Sequence, residues 1–178
     1  MKENTLVLGE FDGVYCRCQV IYRTKEGDPV QVKFIDFGNI ANFEIGELLL
    51  MPKEIADVAP LAKKCALAYT KTLPTGTDLG DLAYDTFNDL VWEKNVRVEP
   101  IFYDKKEKTT YVLVLPTKKT SSIESVNYSL IESGCARFDG SGYDLPEDFI
   151  QVWQDAELVG EENNPGYLDQ FEEEPSDD

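Results

Sequence analysis

The sequence predicts a mainly β fold with α-helices, in which a small antiparallel barrel precedes a half that mixes strands and helices. Residues 5–50 hold four or five short runs of β-forming residues separated by turn residues such as Asp12-Gly13, a pattern typical of small barrels. Residues 78–92 instead place apolar side chains at helical spacing, which indicates an amphipathic helix. The 178 residues suffice for one ordinary domain or two small ones.

The first part of the chain alternates strands with tight turns. Residues 14–22 and residues 30–35 are rich in β-branched and aromatic residues, and such residues favour strands. Residues 25–29 form a turn by composition, and Phe37-Gly38-Asn39 ends the second of these strands before another begins near residue 40. Leu48, Leu49 and Leu50 close the set.

The second part adds helices to the strands. A strand is expected over 61–72, and Asp78 is a plausible N-cap for the helix that follows. Gly134 suits the left-handed end of a short helix over 126–132. The remaining predictions are a hairpin of strands 96–103 and 109–115, a strand at 135–138, a helix over 146–160 and an irregular acidic tail.

Charge is distributed unevenly along the chain. The formal net charge is −17, yet residues 1–137 carry only −3 of it. Residues 138–178 contain 14 acidic residues and no Lys or Arg. Such an end repels nucleic-acid phosphates and suits cationic partners. The alternative is a solvated tail that only aids solubility.

Several classes of protein are excluded by what the sequence contains. No apolar run reaches the roughly 18 residues of a membrane span, and the first residues do not resemble a signal peptide. The chain has no histidine, and its four cysteines form no Cys-x-x-Cys pair, which argues against structural zinc. We therefore expect buried free thiols, no metal, no cofactor and a cytoplasmic protein, with the nucleus as the alternative location. The cysteines are Cys16, Cys18, Cys65 and Cys135.

Two segments resemble the Tudor domain family. Residues 32–39 end a strand in the order aromatic-Ile-Asp-aromatic-Gly-Asn, which looks like the Tudor signature. Upstream, Phe11-Asp12-Gly13 precedes Tyr15-Cys16-Arg17, similar to the family's segment in which an aromatic residue precedes a hairpin. Gly38 permits the tight turn that the signature needs.

The later residues resemble a staphylococcal-nuclease-like domain of the OB type. Residues 125–136 look like its helix-and-strand segment, and the other helices and the hairpin occur in that family's order. A Tudor-type antiparallel barrel followed by an OB-like half is the plan of the extended Tudor domain, as at the C-terminal end of the Tudor staphylococcal nuclease family. The resemblance implies a barrel over 5–56, an OB-like half over 57–160 and an acidic tail over 161–178.

The resemblance implies an aromatic cage for dimethylated arginine in Arg-Gly-rich proteins of RNA-regulating assemblies. The implied cage residues are Phe11, Phe34 and Phe37, with Asn39 as the polar contact and either Tyr15 or Cys16 at the remaining aromatic position. The alternative is that the three phenylalanines form the barrel core. Asp36 is expected to accept turn amides, while Glu44 and Glu47 attract cationic peptides at longer range.

Catalysis is not expected, whereas nucleic-acid binding remains an alternative. In the nuclease family the catalytic carboxylates come from strands that this chain is expected to lack, and no Arg occurs in residues 109–112. Single-stranded RNA binding would use basic loops and stacking by Tyr103 and Tyr111, although any RNA contact is expected to be indirect. A purely scaffolding domain is the other alternative. The loop lysines are Lys105, Lys106, Lys108, Lys118 and Lys119.

Overall fold

The computed structural model describes residues 2–22 and 27–172, which form two compact units. The units comprise residues 1–64 and 65–178, so the division falls eight residues later than the predicted boundary after residue 56. Residues 25 and 26 of the predicted turn, and residues 173–178 of the predicted tail, lie outside the described residues. The structure confirms a mainly β fold with α-helices.

The first unit is a five-stranded antiparallel sheet. Its strands lie in the order β4-β3-β2-β1-β5, so each of the first four strands pairs with its neighbour in sequence. A short 3₁₀ helix at Ile45–Glu47 precedes β5, and a single helical turn, α1 at Lys53–Ala56, follows it. The strands are β1 Leu6–Phe11, β2 Val14–Tyr22, β3 Val30–Phe34, β4 Ile40–Phe43 and β5 Leu49–Leu50.

The predicted turn at Asp12-Gly13 joins β1 to β2. Both residues have positive φ, 50° and 78°, which is the conformation of a two-residue hairpin turn that matches strand twist. The turn fixes the register in which Phe11 lies opposite Val14. Because side chains alternate along a strand, one face of the sheet then forms the core of this unit. Its buried residues are Val7, Cys18, Val20, Val30, Val32, Phe34 and Leu48.

The second unit combines two small sheets with three helices. In the larger sheet, β9 pairs in parallel with β6 and in antiparallel with β8, while β7 and β10 form the smaller sheet. Its strands are β6 Cys65–Leu67, β7 Thr70–Lys71, β8 Val96–Asp104, β9 Thr109–Pro116 and β10 Arg137–Phe138. Its helices are α2 Asp78–Val91, α3 Val126–Glu132 and α4 Glu147–Asn163, with 3₁₀ turns at Ser122–Glu124 and Asp169–Phe171.

Two local predictions in this unit were wrong in detail. The strand expected over 61–72 is divided into β6 and β7, because Tyr69 between them adopts a φ of 60° that no strand accommodates. The N-cap of α2 is Thr77 rather than Asp78, since the Thr77 hydroxyl accepts the Gly80 N–H. Asp78 is instead the first helical residue, where its charge suits the helix dipole.

A buried amide joins α3 to the sheet of the second unit. Asn127 is fully buried. Its Oδ1 accepts the Val114 N–H at 3.0 Å, and its Nδ2 donates to the carbonyls of Ala68 and Val112 at 3.0 and 2.9 Å. One side chain therefore bonds three backbone groups on two segments, and it is the partner of the Val114 N–H, which would cost free energy if it were buried without one.

Helices α3 and α4 approach closely because glycines occupy the contact. A Cβ on Gly160 would lie 2.3 Å from the Ile131 carbonyl oxygen, closer than any real side chain sits. Trp153, about two turns earlier on α4, is fully buried and stacks on Phe149 with ring centroids 5.5 Å apart. Helix α4 is thus part of the core of this unit.

The described part of the predicted acidic tail continues α4 to Asn163 and then consists of turns and the 3₁₀ turn at Asp169–Phe171, yet it is packed against the unit. Tyr167 is fully buried, and Phe171 is also buried, with ring centroids 6.4 Å from Tyr167. The guanidinium of Arg137 lies over the Phe171 ring at 5.7 Å. Although the segment is acidic, its Tyr167 and Phe171 belong to the core of the second unit.

The structure bears on the expectations for the cysteines and for metal ligands. All four cysteines are free, and Cys65 is exposed, contrary to the expectation that every thiol would be buried. Burial raises the pKa of Cys18 to about 11. Within residues 2–22 and 27–172, no group of three His, Cys, Asp or Glu side chains is placed to hold a metal ion, and no helix has the length and apolar character to cross a membrane.

Candidate functional site

The turn that follows β3 presents an aromatic ring and an amide at one end of the first unit. The Gly38 N–H donates to the Phe34 carbonyl at 2.7 Å, and the Phe34 N–H donates to the Asn39 carbonyl at 2.9 Å. Gly38 has a φ of 95°, a conformation that disfavours other residues. The signature therefore folds into a compact turn with Phe37 at its tip and Asn39 at its exit.

Three predicted cage phenylalanines differ in exposure. Phe37 is 72% exposed and Phe11 is 54% exposed, whereas Phe34 is only 1% exposed. Phe11 meets Phe34 edge to face, with centroids 5.8 Å apart, so the end of β1 and the end of β3 converge. Phe34 is thus a core residue that supports Phe11, contrary to the expectation that it lines an open pocket. Asn39 is exposed beside this pair.

The structure separates Tyr15 from Cys16. The two are adjacent on β2, so their side chains point to opposite faces of the sheet. Cys16 shares its face with the buried Cys18, while Tyr15 lies on the face of Arg17 and is 52% exposed. The position beside the buried aromatic residues therefore belongs to Cys16, and Tyr15 faces away from it.

Phe43 is an aromatic neighbour of this site that the sequence analysis missed. Its ring lies 6.1 Å from that of Phe34, and its Cζ lies 3.0 Å from the position that a Cβ on Gly9 would take. Gly9 pairs with Cys16 across the β1–β2 ladder. Phe43 therefore fills the space over Gly9. Alternation along β4, which puts Ala41 and Phe43 on the core face, was the available signal.

Asp36 is structural, as expected, although its main partner is a side chain. Arg17 donates to both carboxylate oxygens, from Nε to Oδ2 at 2.8 Å and from Nη2 to Oδ1 at 2.5 Å. The Leu61 N–H donates to Oδ1 at 3.1 Å. Hydrogen bonds from Arg17 lower the pKa of Asp36, while partial burial opposes them. Asp36 is thereby fully engaged within the barrel.

Arg17 also holds the segment that follows α1. Its Nη1 donates to the carbonyls of Ile55 and Val58 at 3.1 and 2.6 Å, and its Nη2 donates to that of Ala59 at 3.1 Å. One guanidinium therefore bonds three carbonyls, one within α1 and two in the segment that follows it. This arrangement braces the strand that carries Cys16.

Comparisons with known proteins bear on the fold of the chain. The model of the Tudor domain family matches residues 1–69, which include both segments singled out in the sequence. The extended Tudor domain of Drosophila melanogaster Tudor-SN (p100) superposes with a TM-score of 0.75 at 20% identity, covering 89% of this chain and 72% of that one. The chain has the fold of an extended Tudor domain.

Another solved extended Tudor domain has the same fold. The domain of human TDRD1, solved in complex with a symmetrically dimethylated peptide, superposes with a TM-score of 0.65 at 23% identity. That match covers 78% of this chain and 67% of the TDRD1 domain. Among curated proteins, mouse RING finger protein 17 is 25% identical in an alignment of 168 residues that covers 91% of this chain. The chain spans 10% of the length of that relative.

Acidic residues near β4 of this extended Tudor fold serve a local role. The Glu47 carboxylate accepts the Glu44 N–H at 2.8 Å, and the two residues form a capping box around the 3₁₀ helix. Both carboxylates nevertheless belong to the same unit as Phe11 and Phe37 and add negative charge to it.

The residues considered for RNA binding lie in the second unit, and they differ in their contacts and exposure. Lys119 forms an ion pair with Glu124 at 2.7 Å, and Lys106 approaches Glu107 at 3.9 Å. Tyr103 is exposed, but Tyr111 is only half-buried and lines a cavity. Two of the five lysines, Lys106 and Lys119, are thus placed against an acidic neighbour.

Proposed function

We propose that this chain, with its extended Tudor fold, binds a dimethylated arginine side chain of an Arg-Gly-rich partner protein. Phe11 and Phe37 would contact the methylated guanidinium, with Asn39 at the rim and Cys16 at the remaining position. The observation that carries the proposal is that Phe11, Phe37 and Asn39 are all exposed and that each is tied to the buried Phe34, Phe11 through its ring and the other two through backbone hydrogen bonds. Solvent-exposed aromatic rings on a rigid turn are the surfaces that methylated cations use.

The physical basis is cation–π attraction supported by one polar contact. A guanidinium within about 6 Å of an aromatic centroid gains roughly 0.5–2 kcal/mol from the ring quadrupole. The Asn39 side-chain carbonyl is able to accept an N–H from the guanidinium, which a trimethylated ammonium lacks. Phe34, buried beneath Phe11, would hold the Phe11 ring in place so that little side-chain entropy is lost on binding.

The relatives support this choice of ligand. The human TDRD1 domain, which shares the fold, was solved with a symmetrically dimethylated peptide. The net charge of −17 favours association with arginine-rich segments. We further propose that the domain acts as a binding module without catalysis, in a cytoplasmic assembly that regulates RNA.

Affinity for a single modified residue is expected to be weak. One side chain buries little area, and association costs translational and rotational freedom. A dissociation constant on the order of tens of micromolar, or roughly −6 kcal/mol, is consistent with a site that has Cys16 where a further ring would add contact.

The test is a calorimetric or NMR titration of the whole chain with matched peptides. An Arg-Gly peptide carrying dimethylarginine should bind, and the same peptide with unmodified arginine should bind several-fold more weakly. Equal binding of the two peptides, or binding of neither, would show that the domain is a scaffold. Saturable binding of single-stranded RNA in place of the peptide would support the RNA alternative.

A matched pair of variants locates the site. Phe11 and Tyr15 are aromatic residues of nearly equal exposure, 54% and 52%, but they belong to different faces of the barrel. Phe11→Ala should lose most of the binding, while Tyr15→Ala should retain it. The reverse result would place the site on the Arg17 face and reject the cage.

A further inference from the structure

The second unit contains an aromatic cavity that the proposed function does not use. The cavity has a volume of about 250 Å³, and four rings and two carboxylates line it. Three of the rings belong to Phe102 on β8, Tyr111 on β9 and Tyr143 in the loop before α4, and the fourth belongs to the buried Tyr69. The carboxylates belong to Asp104 and Asp139. All of them lie within residues 65–178.

The ring centroids of Phe102, Tyr111 and Tyr143 form a nearly equilateral triangle. The centroids of Phe102 and Tyr111 are 6.1 Å apart, those of Phe102 and Tyr143 are 6.3 Å apart, and those of Tyr111 and Tyr143 are 6.5 Å apart. Tyr143 meets the other two at steep angles of 74° and 81°. A small cation above this triangle can lie within about 6 Å of all three centroids, the range of cation–π attraction.

The ring of Tyr143 packs against a buried aromatic residue. Tyr69, itself buried, meets it edge to face with centroids 4.6 Å apart. Burial, and then the neighbouring Tyr69 and Tyr111, raises the pKa of Tyr143 to about 12. The wall of the cavity is thus partly shielded from water, where cation–π attraction is strongest.

Both carboxylates are held by their own loops through one oxygen. Asp104 Oδ1 accepts the N–H groups of Lys106 and Glu107 at 2.7 and 3.1 Å. Asp139 Oδ1 accepts the N–H and the hydroxyl of Ser141 at 3.0 and 2.5 Å. Each Asp therefore presents negative charge at a defined place.

We propose that this cavity binds a methylated ammonium group, as carried by an N-methylated lysine side chain. Three rings supply contact for the methyl groups, and two carboxylates supply the opposite charge. No Lys or Arg is among the described residues that line the cavity. The lining residues are distinct from those of the arginine site in the first unit.

The carboxylate geometry favours an ammonium over a guanidinium. A guanidinium binds best through two parallel hydrogen bonds to both oxygens of one carboxylate. Here Oδ1 of each Asp already accepts two donors, which hinders such a fork. A compact methylated ammonium requires only the rings and nearby negative charge.

The test uses choline and its neutral isostere, 3,3-dimethyl-1-butanol, which have the same shape but differ in charge. Amide shifts of Ser141 and Gly142, which border the cavity, are followed by NMR in the whole chain. We expect saturable shifts with choline and with an N-methylated lysine peptide, and affinity at least about tenfold weaker with the alcohol. Equal responses to choline and the alcohol, or no saturable response, would overturn the proposal.

Neighbouring aromatic residues of β8 provide matched variants. Phe102 and Tyr103 are 50% and 53% exposed, but only Phe102 lines the cavity. Phe102→Ala should weaken choline binding about tenfold, as loss of one good cation–π contact predicts, and Tyr103→Ala should leave it unchanged. If Phe102→Ala unfolds the unit, Asp139→Asn provides the second variant and should also weaken binding.

Two further controls show which site and which kind of ligand produce the response. Phe37→Ala, in the first unit, should leave choline binding intact, so failure of the arginine site is distinguishable from failure of this one. A dimethylarginine peptide that shifts Ser141 and Gly142 more strongly than the methylated lysine peptide would overturn the choice of an ammonium ligand.

Discussion

Arg17 and Asp36, 19 residues apart, form a two-pronged ion pair in which the guanidinium donates to both carboxylate oxygens. The two side chains are largely shielded, with 11% and 17% of their surface exposed. The pair joins β2 to the turn after β3, and its remaining hydrogen bonds reach Val58 and Leu61. The Tudor signature therefore contains a structural carboxylate between its two aromatic residues.

Asp36→Asn is expected to destabilise the first unit selectively. The neutral amide places an NH₂ group against the guanidinium and leaves a shielded cation poorly paired, which is costly. Amides of residues 2–64 should exchange with solvent faster, while those of the second unit should be unaffected. Hydrogen exchange of the whole chain measures both. Glu54→Gln, which alters an exposed carboxylate, is the control and should change neither.

The same pair predicts how stability depends on pH. Since hydrogen bonds from Arg17 lower the pKa of Asp36, the folded state binds this proton less readily than the unfolded state does. The contribution of Asp36 to the free energy of unfolding is therefore complete above its unfolded-state pKa of about 4. It is lost as the pH falls through the lower pKa of the folded state. Urea midpoints measured across the acid range should show this loss, and Asp36→Asn should reduce it.

Phe37→Ala and Phe34→Ala should separate binding from stability. Phe37 is exposed, so its loss should abolish most dimethylarginine binding with little change in melting temperature. Phe34 is buried, so its truncation should cost about 3–5 kcal/mol of unfolding free energy. Calorimetry of unfolding and peptide titration on both variants provide the measurements. A large loss of stability in Phe37→Ala would show that this ring belongs to the core.

Cys16→Tyr should strengthen peptide binding. The position shares a face with the buried Cys18, which pairs with Phe34 across the sheet, and a ring there would add one cation–π contact. A gain of about tenfold in affinity is expected from a contact worth about 1.4 kcal/mol. Titration with the dimethylated peptide measures the gain, and Cys65→Tyr, at an exposed thiol of the second unit, should produce none.

Asn127→Ala should destabilise the second unit. The change leaves the Val114 N–H without the partner that Asn127 supplies, while the carbonyls of Ala68 and Val112 keep their hydrogen bonds from Thr70 and Ala68. We expect a loss of about 1–3 kcal/mol in unfolding free energy from the unpaired buried N–H, measured by denaturant titration. Asn95→Ala, at an exposed amide, should cost far less, and a similar cost for both would contradict the network.

Local sequence patterns predicted most of the elements. The strand at Val14–Tyr22, the hairpin of β8 and β9 and the helix at Asp78–Val91 follow from β-forming runs, turn residues and helical spacing, which act over a few residues. The turn at Gly38 follows from the same kind of signal. The exposure of an aromatic side chain does not follow from such signals, because an aromatic residue has the same neighbours in sequence whether it is buried or forms a binding surface.

The sequence by itself determined the order of strands and helices, the turn that carries Phe37 and Asn39, and the family that the barrel resembles, since short-range sterics and hydrogen bonding specify these. Only the tertiary structure decided that Phe34 is buried, that Cys16 rather than Tyr15 faces it, and that Tyr167 anchors an acidic segment in the core. Those outcomes depend on contacts between residues far apart in the chain. A local alternation of side chains separates the two faces of a strand, but which rings on one face are buried depends on how the whole unit packs.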